Sequence, residues 1–176
     1  MARIYSFKPI ENLDAEILIL GTMPGRASLA AGQYYAHTRN VFWRITSELL
    51  KLDADSLYNV RVQALKSARI AVWDVLQSCA RKGSLDAMIE RDTLIANDFY
   101  TFFQTHRRIT HVFFNGAKAE AYFMRYVLPN INNSPIKFLR LPSTSPANAS
   151  IPFENKLQAW RIILESIKLE NKISNQ

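Results

Sequence analysis

The chain has one cysteine, Cys79, in 176 residues. That rules out an intramolecular disulfide and any zinc or iron–sulfur site held by several thiolates. No apolar run approaches the ~20 residues needed to span a bilayer. The opening MARIYSFKPI lacks the apolar core of a secretory signal, so neither export nor a membrane partner is expected and a cytoplasmic location is. The first apolar run is not followed by a Gly-rich phosphate loop, which argues against nucleotide-triphosphate chemistry. No repeat or interdomain linker is visible. Acidic residues are in deficit, with 15 Asp plus Glu against 22 Lys plus Arg, a net charge of +7. A basic surface suits a polyanionic partner, because phosphate contacts release counterions.

Hydrophobic residues make up 48% of the chain, enough for one globular core over residues 1–176. Four short apolar runs read as buried strands: 16–22, 69–76, 111–115 and 136–141. Helical spacing separates them. Asn40 can cap a helix over 41–50, with Phe42, Ile45, Leu49 and Leu50 on one stripe. Further helices are expected at 60–67, from Asn97 or Asp98 to about 107, from Gly116 to a stop at Pro129, and over 152–169. Residues 1–15 read as a lead-in without helix. Residues 78–91 read as a basic surface loop with a short helical turn. This alternation predicts an α/β fold, a four-stranded parallel sheet layered between helices.

In such a sheet the loops leaving the strand ends hold the ligand. Two of these loops are rich in polar groups. One is GTMPGRASLAAGQYYAHTRNVFW, residues 21–43; the other is LPSTSPANAS, residues 141–150. Asp74 and Asn115 end the two remaining strands on the same side, where either can be a turn residue or a ligand contact. Arg39, Arg81, Lys82 and Lys118 suit phosphates, though exposed cations are ordinarily just solvated. Phe99, Phe102, Phe103 and Phe123 have core spacing, and Cys79 suits inert packing. His37 suits a hydrogen-bonded role that fixes its loop.

The two loops together resemble the uracil-DNA glycosylase superfamily. The first carries Gly21, Pro24, Gly25, Tyr35, Ala36, His37, Asn40, Phe42 and Trp43 in that family's order, and the second carries Leu141-Pro142-Ser143-Thr144. GTMPG, QYYAHTRNVFW, VWDVL and LPSTSPANA look most like its hypoxanthine-DNA glycosylase branch. The resemblance implies a three-layer α/β/α glycosylase that hydrolyses the bond between sugar and base at deaminated positions in DNA. Hypoxanthine is first among the expected bases, with uracil and xanthine next. It implies DNA as partner, duplex or single-stranded, no cofactor, no metal and a monomer.

The departures from the pattern matter as much. Met23 stands where relatives carry an Asp or Asn that orients water, and a thioether cannot do that work. Leu141 removes a donor near the departing base, and Thr38 replaces a proline. The resemblance therefore shifts the catalytic role to Asn40. It implies base contacts from Met23, Pro24, Gly25, Tyr35, Asp74 and Asn115, with Tyr35 stacking on the extruded base. Ser143, Thr144 and Ser145 are the implied contacts to the DNA backbone. Two other readings are compatible with these residues, a non-catalytic nucleic-acid binder and a hydrolase of free nucleosides.

Overall fold

The computed structural model describes residues 3–131 and 135–173. In chain order these form β1 (Arg3–Tyr5), β2 (Ile17–Gly21), α1 (Arg26–Ala31), α2 (Phe42–Leu50), α3 (Tyr58–Ser67), β3 (Ile70–Asp74) and β4 (Leu76–Ala80). There follow β5 (Ile95–Ala96), α4 (Phe99–Thr105), β6 (His111–Asn115), α5 (Ala117–Tyr126), β7 (Lys137–Leu141), α6 (Phe153–Trp160) and α7 (Ile162–Ile173). Among these residues no helix is long and apolar enough to cross a membrane.

Four strands make a parallel sheet in the order β3-β2-β6-β7. Its central strand reads Ile-Leu-Ile-Leu without alternation, because helices cover both faces and both sets of side chains are buried. Leu18, Leu20, Ala71, Val112 and Phe114 face one apolar cluster with Phe99 and Phe102 of α4 and Phe123 of α5. Ile17, Ile19, Val72 and Phe113 face the other, with Phe42 and Ile45 of α2, Leu65 of α3 and Trp160 of α6. The result is the expected three-layer α/β/α sandwich, all of whose parallel strands end on one side.

Four expectations need correction. The run at 69–76 is not one strand. It ends at Asp74, and after Val75 the chain enters β4, which belongs to a second, antiparallel sheet ordered β1-β4-β5. Part of the segment read as a loop is thus strand, and Arg3–Tyr5 of the supposed lead-in pairs with Ser78–Ala80. Strands of two or three residues are too short to show a period of two, which is why they are invisible in the sequence. The last helix is two helices, divided at Arg161.

Candidate active site

Gly21 pairs with Asp74, and Asn115 with Leu141, so four strand ends lie in register along one edge. Above them opens a cleft of about 920 Å³. It is lined by each residue to which the resemblance gives a catalytic, base-contact or backbone-contact role: Met23, Pro24, Gly25, Tyr35, Asn40, Asp74, Asn115, Ser143, Thr144 and Ser145.

Asp74 forms the floor. It is 3% exposed, and its Oδ2 accepts a hydrogen bond from the Ser6 hydroxyl at 2.7 Å. Burial pushes its pKa up to about 7 against the pull of that bond, so near neutrality the carboxyl can donate or accept. Its other oxygen crowds Gly21, where a Cβ would lie 2.5 Å from Asp74 Oδ1 and 2.9 Å from the Tyr35 hydroxyl. Only a glycine lets these two groups approach the strand end from the same side.

The adjacent tyrosines divide as alternate neighbours must. Tyr34 turns inward, its hydroxyl donating to the Lys8 carbonyl at 3.1 Å and its own carbonyl accepting from Trp43 Nε1 at 2.7 Å. Tyr35 adopts φ 54°, a left-handed conformation uncommon outside glycine, and so faces the cleft. Its ring stacks on Phe42 with centroids 4.0 Å apart. The Tyr35 hydroxyl is buried without a hydrogen-bond partner of normal geometry, although Asn115 lies near enough to act on it. Burial first, then the Asp74 charge, pushes its pKa upward.

Asn40 sits one residue before the capping position of α2, which is Val41. Its Oδ1 nevertheless accepts the Phe42 N–H at 3.0 Å, the turn geometry expected of an asparagine at a helix entrance. The turn is closed by the Asn40 N–H on the His37 carbonyl at 2.8 Å, while His37 Nδ1 accepts from the Arg39 N–H at 3.1 Å. His37 thus fixes its loop.

The second loop is tied to the first. Thr144 is buried, exchanging two hydrogen bonds with Asn115, and its carbonyl accepts the Val41 N–H at 3.1 Å. The Thr144 hydroxyl therefore points into the protein, leaving Ser143 and Ser145 as the half-buried hydroxyls of this loop. Helix α6 braces it from behind, with Trp160 Nε1 donating to the Pro142 carbonyl at 3.0 Å and Lys156 Nζ to the Asn148 carbonyl at 2.7 Å. Met23, 7% exposed, belongs to the same apolar cluster as Leu20 and Val75 while still lining the cleft.

Three further residues shape the site without any sequence signal, and a fourth lies where its charge would not place it. Ser6 is in the segment taken as a lead-in. Ser84 accepts the Arg26 N–H at 3.0 Å and so seats the start of α1. Asp86, on a short 3₁₀ turn at Asp86–Met88, lines the cleft wall. Arg81, grouped above with exposed cations, has a fully buried side chain that donates to the Pro24 and Gly83 carbonyls and pairs with Asp86 at 3.4 Å. It is a clamp between two loops. None of these four belongs to a recognisable motif, and only contact across the cleft reveals them.

Comparison with known proteins follows the same lines. The family model of the uracil DNA glycosylase superfamily matches residues 8–165. A hypoxanthine DNA glycosylase of Methanosarcina barkeri (strain Fusaro / DSM 804) is 36% identical over 117 residues, covering 66% of this chain and 73% of that protein. Another of that name, from Methanosarcina acetivorans, is 30% identical over 158 residues, covering 89% and 95%. The solution NMR structure of a candidate uracil DNA glycosylase from Methanosarcina acetivorans superposes with a TM-score of 0.79 at 28% identity, over 95% of this chain and 99% of that one. The chain belongs to the uracil DNA glycosylase superfamily.

Proposed function

We propose that this superfamily member is a monofunctional DNA glycosylase that hydrolyses the N-glycosidic bond of deaminated bases, hypoxanthine first and uracil or xanthine next. The observation that carries the reading is the cleft itself, where Asn40, Tyr35 and Asp74 line one pocket above aligned strand ends. Breaking the bond needs a positioned water, groups that meet the base edge, and a pocket for the extruded nucleotide. The Phe42 N–H fixes the plane of the Asn40 amide by holding its Oδ1. A second lone pair on that oxygen can then align a water, and Nδ2 can donate.

Tyr35 offers a ring for stacking and a hydroxyl without a partner. Asp74 and Asn115 lie beside it to read a carbonyl next to an N–H, the pattern that hypoxanthine and uracil share. Main-chain groups of Pro24 and Gly25 close the pocket, with Met23 as its apolar wall. Ser143 and Ser145 suit phosphate, and Thr144 contributes through the shape of its loop. This chemistry calls for no cofactor, and a monomer acting on DNA in the cytoplasm suffices.

The test is base release from labelled duplex and single-stranded DNA carrying deoxyinosine, deoxyuridine or deoxyxanthosine, read as strand scission after alkali. Release from deoxyinosine is expected, and Asn40→Ala should lower it by roughly 10²–10³ with the fold intact. No scission above a blank for any of the three overturns the proposal. Salt-sensitive binding without release would identify a binder instead, and preferential turnover of free inosine a nucleoside hydrolase.

A further inference from the structure

Cleavage of an N-glycosidic bond leaves positive charge on the sugar, and the attacking water must shed a proton. A fixed anion answers both needs. Met23 is a thioether and Asn40 a neutral amide, so neither supplies one. Among the described residues, two carboxylates line the cleft, Asp74 and Asp86. Asp74 is sunk beneath Gly21 and bound by Ser6, with no ion-pair partner among the described residues.

Asp86 is held differently. Its side chain is 30% exposed and its Oδ1 meets Arg81, whose side chain is 0% exposed. The Thr22 side chain lies near enough to favour the charged form of Asp86. The same guanidinium grips the Pro24 carbonyl, so the carboxylate is fixed relative to the Thr22–Gly25 turn. Burial is the largest influence on Asp86 and, with the neighbouring Asp74, Tyr35 and Tyr122, pushes its pKa upward, while Arg81 and Lys118, another residue of the cleft wall, pull the other way. One oxygen is thus anchored to a buried cation, and the exposed part of the group looks into the cleft.

We propose that Asp86 is the anionic catalytic residue of this cleft, supporting positive charge on the sugar and taking the proton of the attacking water. The inference rests on the glycosylase reading above. In the step, the bond from C1′ to the base nitrogen breaks and its electron pair leaves with the base. Water forms the new C1′–O bond, its proton passes to the Asp86 carboxylate, and the base anion is protonated by solvent. The competing role is structural, with Asp86 serving only to neutralise Arg81.

The two roles separate because a carboxylate in the cleft repels phosphate. Asp86→Asn keeps the shape and a hydrogen bond to Arg81 but removes the charge. On deoxyinosine duplex under single-turnover conditions, base release is expected to fall roughly 10²-fold, while DNA binds as tightly as before or tighter. Asp86→Ala, assayed in formate against chloride at equal ionic strength, should regain part of the rate, because formate can occupy the missing carboxylate's place. A wild-type rate in Asp86→Asn overturns the inference. So does a parallel loss of rate, binding and thermal stability without formate rescue, which is what a broken Arg81 clamp would give. Wild-type protein inert on all three bases would instead defeat the glycosylase reading itself.

Discussion

Asn115 and Thr144 hold each other by two hydrogen bonds across the mouth of the cleft. Asn115 Nδ2 donates to Thr144 Oγ1 at 2.9 Å, and the Thr144 N–H donates to Asn115 Oδ1 at 2.8 Å. Since the Thr144 carbonyl also accepts the Val41 N–H, this pair sets where the Asn40 turn sits against the second loop. Asn115→Ala leaves an N–H and a hydroxyl buried without partners, at ~1–3 kcal/mol for each such group. A loss of about 2–4 kcal/mol in urea unfolding is expected, with base release falling as well. Thr144→Val strands only the Asn115 amide and should cost about half as much.

The buried carboxyl of Asp74 makes stability depend on pH in a direction opposite to that of a salt-bridged aspartate. Its pKa is near 7 in the folded protein against 3.8 for the free group, so between those values the folded state holds a proton that the unfolded chain has released. Stability from this group is full below about pH 4, declines as pH rises, and is gone above about pH 7. Asp74→Asn mimics the protonated form and removes the dependence. The difference in unfolding free energy between wild type and Asp74→Asn should therefore shift by a few kcal/mol from pH 4.5 to pH 8, at ~1.4 kcal/mol per pKa unit. A constant difference across that range would place the carboxyl near its ordinary pKa.

Gly21 is the one position of β2 where a methyl group would reach the chemistry. The added carbon would meet Asp74 Oδ1 at 2.5 Å, and Asp74 cannot swing away without losing Ser6. Gly21→Ala should cost ~1–3 kcal/mol, the range for overpacking, and should narrow the pocket. The cost should shrink when Asp74 is already alanine, giving a coupling of about 1 kcal/mol or more in a double-mutant cycle. Strict additivity would mean that the strand end shifts as a unit.

The parallel sheet was legible because β2, β3 and β6 are almost wholly buried runs with helical spacing between them, as in Ile17–Leu20 and Val112–Phe114. The two polar loops were legible because their residues follow one another in the chain, from Gly21 to Asn40 and from Leu141 to Asn148. What escaped was whatever depends on contact between distant segments. Ser6 reaches Asp74 through the pairing of β1 with β4, and three paired residues leave no periodic trace. Arg81 carries the charge of a surface residue, yet the Pro24 and Gly83 carbonyls with the Asp86 carboxylate satisfy it in a buried position. The inward turn of Thr144 was equally hidden, since a Ser-Thr-Ser run gives no sign of which hydroxyl a distant asparagine will claim.

Tyr35 separates stability from function most sharply. A buried hydroxyl without a partner costs ~1–3 kcal/mol in the free protein, and the left-handed backbone at the same residue adds strain. The ring stack on Phe42 does not need the hydroxyl. Tyr35→Phe should therefore leave thermal stability unchanged or raise it by about 1 kcal/mol. The hydroxyl would find its partner on the bound base, so the same change should lower base release roughly 10-fold, the equivalent of ~1.4 kcal/mol for one hydrogen bond. Stability and rate should move in opposite directions. A variant that is less stable and equally active would mean that the hydroxyl serves the fold, and that the base is read from Asp74 and Asn115 alone.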